Sequence, residues 1–135
     1  MALMEWDTSL DVGVADMNHE HQQLLDLMNQ LHDAHQKGKS GPDVLRILDA
    51  LGAATTKHFK DEEAYMERIG YPKLSTHKLI HADLLKKFTA FSGDIHARNG
   101  VIGNDFFVFL KLWLTAHIKG IDMQYAPKAN QRQAS

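Results

Sequence analysis

No cysteine occurs in the 135 residues. That excludes disulfides, thiolate metal sites, iron–sulfur clusters and cysteine nucleophiles together. Charge of one sign is also lacking. The 15 Lys and Arg against 17 Asp and Glu leave a net −2, which provides no basic face for nucleic acid and no attraction to an anionic membrane. The longest apolar run, Phe106–Leu110, is far too short to span a bilayer. Met1-Ala2-Leu3-Met4 has neither the basic start nor the apolar stretch of a signal peptide, so a cytoplasmic location is expected. Glycine-rich phosphate loops are missing. So are the Glu-x-x-His pair of the ferritin-like di-iron oxidases and the His-Glu-x-x-His of zinc proteases.

Histidine is what the chain has in quantity, with nine copies. Histidine without cysteine suits metals that favour imidazole, such as iron, zinc, copper or nickel. His77 and His81 stand four apart, as do His58 and Glu62. On a helix that spacing puts two side chains on one face, a turn apart. His117 and Asp122 are five apart. Five residues turn roughly 500° on a straight helix, about 140° away from a common face. Asp122 can therefore join His117 only if the helix loosens or ends between them, and Gly120 permits that. His21 opens the first helical pattern.

The apolar periodicity predicts four helices. The first is expected to begin after Asn18 as N-cap and to bury His21, Leu24, Leu25, Met28 and Leu31. Gly41-Pro42 restarts the chain with proline at a favoured first position. The second helix buries Leu45, Leu48, Leu51 and Ala54 or Thr55, and its stripe runs on into His58 and Glu62. Gly70-Tyr71-Pro72 ends it. The third starts near Leu74 with the stripe His77, Ile80, His81, Leu84, Phe88, Phe91, Ile95, and Asn99-Gly100 stops it. The fourth starts near Asn104, turns Phe106, Phe109, Leu110, Trp113, Leu114 and His117 inward, and has its natural end at Gly120.

Short connections between such helices make an all-α, up-down-up-down antiparallel four-helix bundle. A non-helical arm over 1–17 would precede a bundle over about 18–120, with a tail over 121–135, all as one domain. In that topology the start of helix one, the finish of two, the start of three and the finish of four share one end. His21, His58, Glu62, His77, His81, His117 and Asp122 therefore fall in one layer. Two carboxylates and five imidazoles there would satisfy one another around two divalent ions, whereas buried alone they would be costly. Hard carboxylates with imidazoles favour iron over manganese or zinc. Met17, Met28 and Met66 read as filler. Asp61 and Glu63 read as a solvated face, and His19, His32, His35 and His96 as ordinary rim or surface histidines.

At these residues the sequence resembles the hemerythrin family, in particular its single-domain bacterial members. The resemblance starts at Val12-Gly13-Val14 and runs through His21-x-x-Leu24, His58-Phe59-x-x-Glu62, Tyr71-Pro72 and His77-x-x-x-His81. It continues in Trp113-Leu114-x-x-His117-Ile118-x-x-x-Asp122-x-x-Tyr125. It implies two iron ions joined by a solvent-derived oxo or hydroxo bridge. His77, His81 and His117 would hold one iron. His21 and His58 would hold the other and leave it an open position, and Glu62 and Asp122 would bridge both. Leu24, Phe59, Trp113, Leu114 and Ile118 would wall the dioxygen pocket.

The activity it implies is reversible dioxygen binding for carriage, storage or delivery, without enzymatic turnover, in a monomer that could serve an oxygen-consuming enzyme. The rival readings are a di-iron oxidase, peroxidase or nitric-oxide-handling enzyme, and an oxygen sensor or iron store. One departure from the family pattern stands beside the first ligand. The family commonly has Asp-x-Gln-His there, and this chain has Asn18-His19-Glu20-His21.

Overall fold

A computed structural model of the chain describes residues 15–117. Within them lie four helices: α1 (Ala15–Gln36), α2 (Pro42–Arg68), α3 (Leu74–Ala97) and α4 (Asn104–Ala116). α1 packs along α2 and α2 along α3, while α4 meets α1. Ring contacts of Phe88 and Phe91 with Phe106, and of Phe91 with Phe109, close α3 against α4. The result is the antiparallel bundle that the four apolar stripes require. None of the described helices is long and apolar enough to cross a membrane.

The core follows the stripes. Leu24, Leu25, Met28 and Leu31 of α1 meet Leu48 and Leu51 of α2, Phe88 and Ile95 of α3, and Phe106 and Leu110 of α4, all buried. Burial of each such side chain contributes about 1.5–3 kcal/mol. In α2 it is Val44 and Thr55 that are buried, while Leu45 and Ala54 lie at the margin. The Thr55 hydroxyl donates to Leu51 O at 2.7 Å, which makes its burial tolerable. Phe107, outside the expected inner face of α4, is also buried, packed against the rings of His32 and His35.

α1 is already helical at Ala15, so Asn18 lies inside it rather than at its N-cap. The arm expected over 1–17 therefore gives up 15–17. The reason is Met17, which is buried and continues the stripe one turn ahead of His21. Burying a methionine outweighs the few tenths of a kcal/mol that asparagine costs in a helix interior.

At the end away from α1's start, the turn after α1 meets the turn after α3. Gly41 N–H donates to Asn99 O at 2.7 Å. Asn99 and Gly100 both have positive φ, 55° and 87°. A Cβ on Gly100 would stand 2.7 Å from Gly41 N and 2.9 Å from Gly41 O, so glycine is needed for both conformation and space. With these two turns joined, the start of α1, the finish of α2, the start of α3 and the finish of α4 are gathered at the other end.

Candidate metal centre

That end is where the histidines meet. His21, His58, His77, His81, His117 and Glu62 are all buried. Asp122 and Ile118 lie outside the described residues, as does Gly120, the proposed end of α4. α4 is α-helical through Ala116, and the His117 backbone N–H still donates to Trp113 O and Leu114 O.

Glu62 sits at the centre and divides the histidines in two. Its Oε1 lies 3.0 Å from His77 Nε2, 2.9 Å from His81 Nε2 and 3.6 Å from His117 Nε2. Its Oε2 lies 3.4 Å from His58 Nε2 and 3.6 Å from His21 Nε2. Thus one oxygen faces three imidazoles from α3 and the end of α4, and the other faces two from α1 and α2. Two donor clusters result, Glu62 with His77, His81 and His117, and Glu62 with His21 and His58.

The donor chemistry fits metal ions. His81 Nε2 and His117 Nε2 are 3.2 Å apart. Bonds of about 2.1 Å to a first-row ion bring neighbouring ligand atoms to roughly that separation. His81 also turns its Nδ1 to Glu63, at 2.8 Å, while its Nε2 faces Glu62. A neutral imidazole has one proton for two carboxylates. A cation on the Nε2 side satisfies both at once. Burial pushes the Glu62 carboxyl upward, and hydrogen bonds from His117 first, with His21 and His77, overcome this and hold it well below the usual carboxylate range. Glu62 is therefore an anion at neutral pH, available to cations on both sides.

Aromatic and aliphatic side chains enclose the cluster. Phe59 stacks on His81, Trp113 meets Phe59 edge-on at 5.9 Å, and both are buried. Leu24, one turn after His21, and Leu114, one turn before His117, are buried too.

Two residues take roles that the sequence reading did not assign to them. Glu63 belongs to no solvated face: its carboxylate accepts from His81 Nδ1, and its side chain is only 25 % exposed. Glu20 accepts from His58 Nδ1 at 2.8 Å. Glu20 stands where the chain departs from the family pattern, whereas Glu63 gave no signal beyond an acid adjacent in sequence to a candidate ligand, which is too common to single out. Asp61 does behave as a surface acid, paired with Lys57. The remaining histidines have plain settings, His96 against Asp49 and His19 against Gln23.

A four-helix bundle with imidazoles and a shared carboxylate buried at one end defines a cation-binding helical protein. Comparison with known proteins agrees. The hemerythrin HHE cation binding domain matches residues 12–129, and the chain belongs to the hemerythrin family. It is 35 % identical to a bacteriohemerythrin of Methylococcus capsulatus, over 94 % of this chain and 97 % of that protein. A bacteriohemerythrin of Stenotrophomonas maltophilia is 31 % identical over 93 % of this chain and 81 % of its own. A crystal structure of wild-type hemerythrin superposes with a TM-score of 0.85 at 31 % identity, covering 93 % of this chain and 97 % of that one.

Proposed function

We propose that this protein binds dioxygen reversibly at a non-haem di-iron centre, as an oxygen carrier, store or delivery protein. The observation that carries the reading is the division of Glu62, with Oε1 toward His77, His81 and His117 and Oε2 toward His21 and His58. The three-histidine side would hold one iron and the two-histidine side the other. Glu62 would serve both, and Asp122 would join it by its place in the family pattern. Having fewer protein ligands, the His21–His58 side is where an exogenous ligand has room. Bound iron would supply the electrons that dioxygen takes up on binding and returns on release.

The protein's own contribution is positioning and exclusion of water. His77 and His81 are one turn apart on α3, so a single rigid element sets two donors. Phe59 holds the plane of His81 by stacking. Leu24, Phe59, Trp113 and Leu114 are buried beside the histidines, and with Ile118 by its sequence position they would make an apolar wall that excludes water. A dry wall favours release of intact dioxygen over its loss as a reduced product. Among the described residues the wall is aliphatic and aromatic, a lining suited to a carrier.

The test is elemental analysis followed by an anaerobic-to-aerobic optical titration of the reduced, iron-loaded protein. Two irons per chain and an absorption band that comes with air and leaves under argon are expected. Irreversible oxidation on first contact with air would favour the oxidase. Metal binding is coupled to folding, so His77→Ala should lower iron content and thermal stability together.

A further inference from the structure

We propose that Glu20 is a positioning residue for the two-histidine half of the centre, holding the His58 proton on Nδ1 and leaving Nε2 bare toward Glu62. The inference rests on the di-iron reading for its consequence, but its structural core stands on the metal-free protein. A carboxylate oxygen can only accept, so the 2.8 Å contact between Glu20 Oε1 and His58 Nδ1 places the proton on that nitrogen. The opposite nitrogen then meets Glu62 Oε2 at 3.4 Å as acceptor against acceptor. The lone pair of Nε2, not that of Nδ1, is then the one turned toward Glu62 and available to a cation.

The geometry around Glu20 supports this role. Its side chain is only 13 % exposed, and its other oxygen accepts from Lys57 Nζ at 3.2 Å. Lys57 in turn pairs with Asp61 at 2.8 Å. The carboxylate is thus clamped between an inner imidazole and an outer ammonium, with one oxygen for each. Its neighbour His21 lies edge-on to the His58 ring, with centroids 4.6 Å apart. Two consecutive residues of α1 therefore grip His58 from two sides, and one of them also faces Glu62 Oε2. A cleft between α1 and α2 is lined among others by His19, Glu20, Lys57 and Asp61. Lys57, with Asp61 beside it, holds Glu20 from outside.

A surface salt bridge that merely staples α1 to α2 would leave the imidazole tautomer untouched. The experiment therefore reads the tautomer first. Long-range nitrogen–proton correlation spectra of the metal-free protein, at mildly alkaline pH where imidazoles are neutral, should show His58 protonated on Nδ1. Glu20→Ala should turn this into a mixture, and Glu20→Gln, which keeps an acceptor oxygen, should restore it. Zinc titration, with circular dichroism confirming the fold, should show one of the two ions bound about 10–100-fold more weakly in Glu20→Ala and the other unchanged.

The proposal is overturned if the wild-type proton sits on His58 Nε2, if Glu20→Ala leaves the tautomer as it was, or if that variant binds both ions as tightly as wild type. Should Glu20→Ala fail to fold, the wild-type tautomer and the Glu20→Gln spectrum decide. Wild-type protein binding fewer than two ions would count against the di-iron reading instead, and the tautomer comparison would still decide the role of Glu20.

Discussion

Phe59 lies flat on His81, with ring centroids 3.9 Å apart and planes within 5° of each other. The two rings come from different helices, α2 and α3, and Phe59 directly follows His58 in the chain. One position on α2 offers a donor to the centre, and the next supports a donor on the neighbouring helix. The stack fixes the direction of His81 Nε2 while Glu63 holds Nδ1.

Removing that support should cost both stability and metal retention. Phe59→Ala takes away a fully buried ring, and such truncations cost ~3–5 kcal/mol. Phe59→Leu should cost less but still leave His81 unsupported. Urea melts with and without iron check this. A Phe59→Leu protein whose iron-dependent stabilisation equals that of wild type would show that stacking does not position His81.

Leu114 tests the dry wall. It is 2 % exposed and lies one turn from His117. Leu114→Asp would bring water and a proton-accepting group beside the bound oxygen. A change of only ~1.4 kcal/mol in the barrier to oxidation is a factor of ten in rate. Decay of the oxygenated form should therefore quicken by on the order of tenfold in a stopped-flow assay. Unchanged decay would remove Leu114 from the wall.

Acid should weaken the metal-free protein through Glu62. Its carboxyl titrates well below the ordinary 4.5 in the folded state. A depressed folded value means the stabilisation is fully present above the unfolded value and is lost as the pH falls below about 4.5 toward the folded one. One such group changes stability by at most about 1.4 kcal/mol per pH unit. Thermal melts of iron-free wild type against Glu62→Gln should therefore diverge in slope below about pH 4.5. Parallel curves would mean that Glu62 does not carry the acid sensitivity.

Gly100 sets the geometry of the opposite end. Gly100→Ala meets a positive φ and the Gly41 backbone at once, a cost of about 1–3 kcal/mol or more. A drop in melting temperature with two irons still bound is expected, since the change lies at the far end from the histidines. Loss of iron in a folded Gly100→Ala protein would show that the far turns also set the spacing of the centre.

Much of this was legible before any coordinates. Three- and four-residue spacing of apolar side chains names the inner face of a helix, because the α-helical turn is a local property. Pro42, Gly70 and Asn99-Gly100 mark where helices start and stop, because they act through their own backbone angles. Spacing of four alone puts His77 with His81 and His58 with Glu62. Antiparallel topology then puts these pairs at one end with His21 and His117.

The orientation of each ring was beyond that reach. Which nitrogen faces which oxygen, and therefore how Glu62 divides five histidines, depends on side-chain rotamers locked by neighbours from other helices. Glu20 and Glu63 follow the same rule. In the chain they are two more acids beside candidate ligands, and only the packing of α1 on α2 and of α2 on α3 turns them inward. Periodicity sets the face a residue occupies. The partner it meets across a helix interface is decided by distances between residues far apart in sequence, here 38 positions for Glu20 and His58, and only the folded chain brings those together.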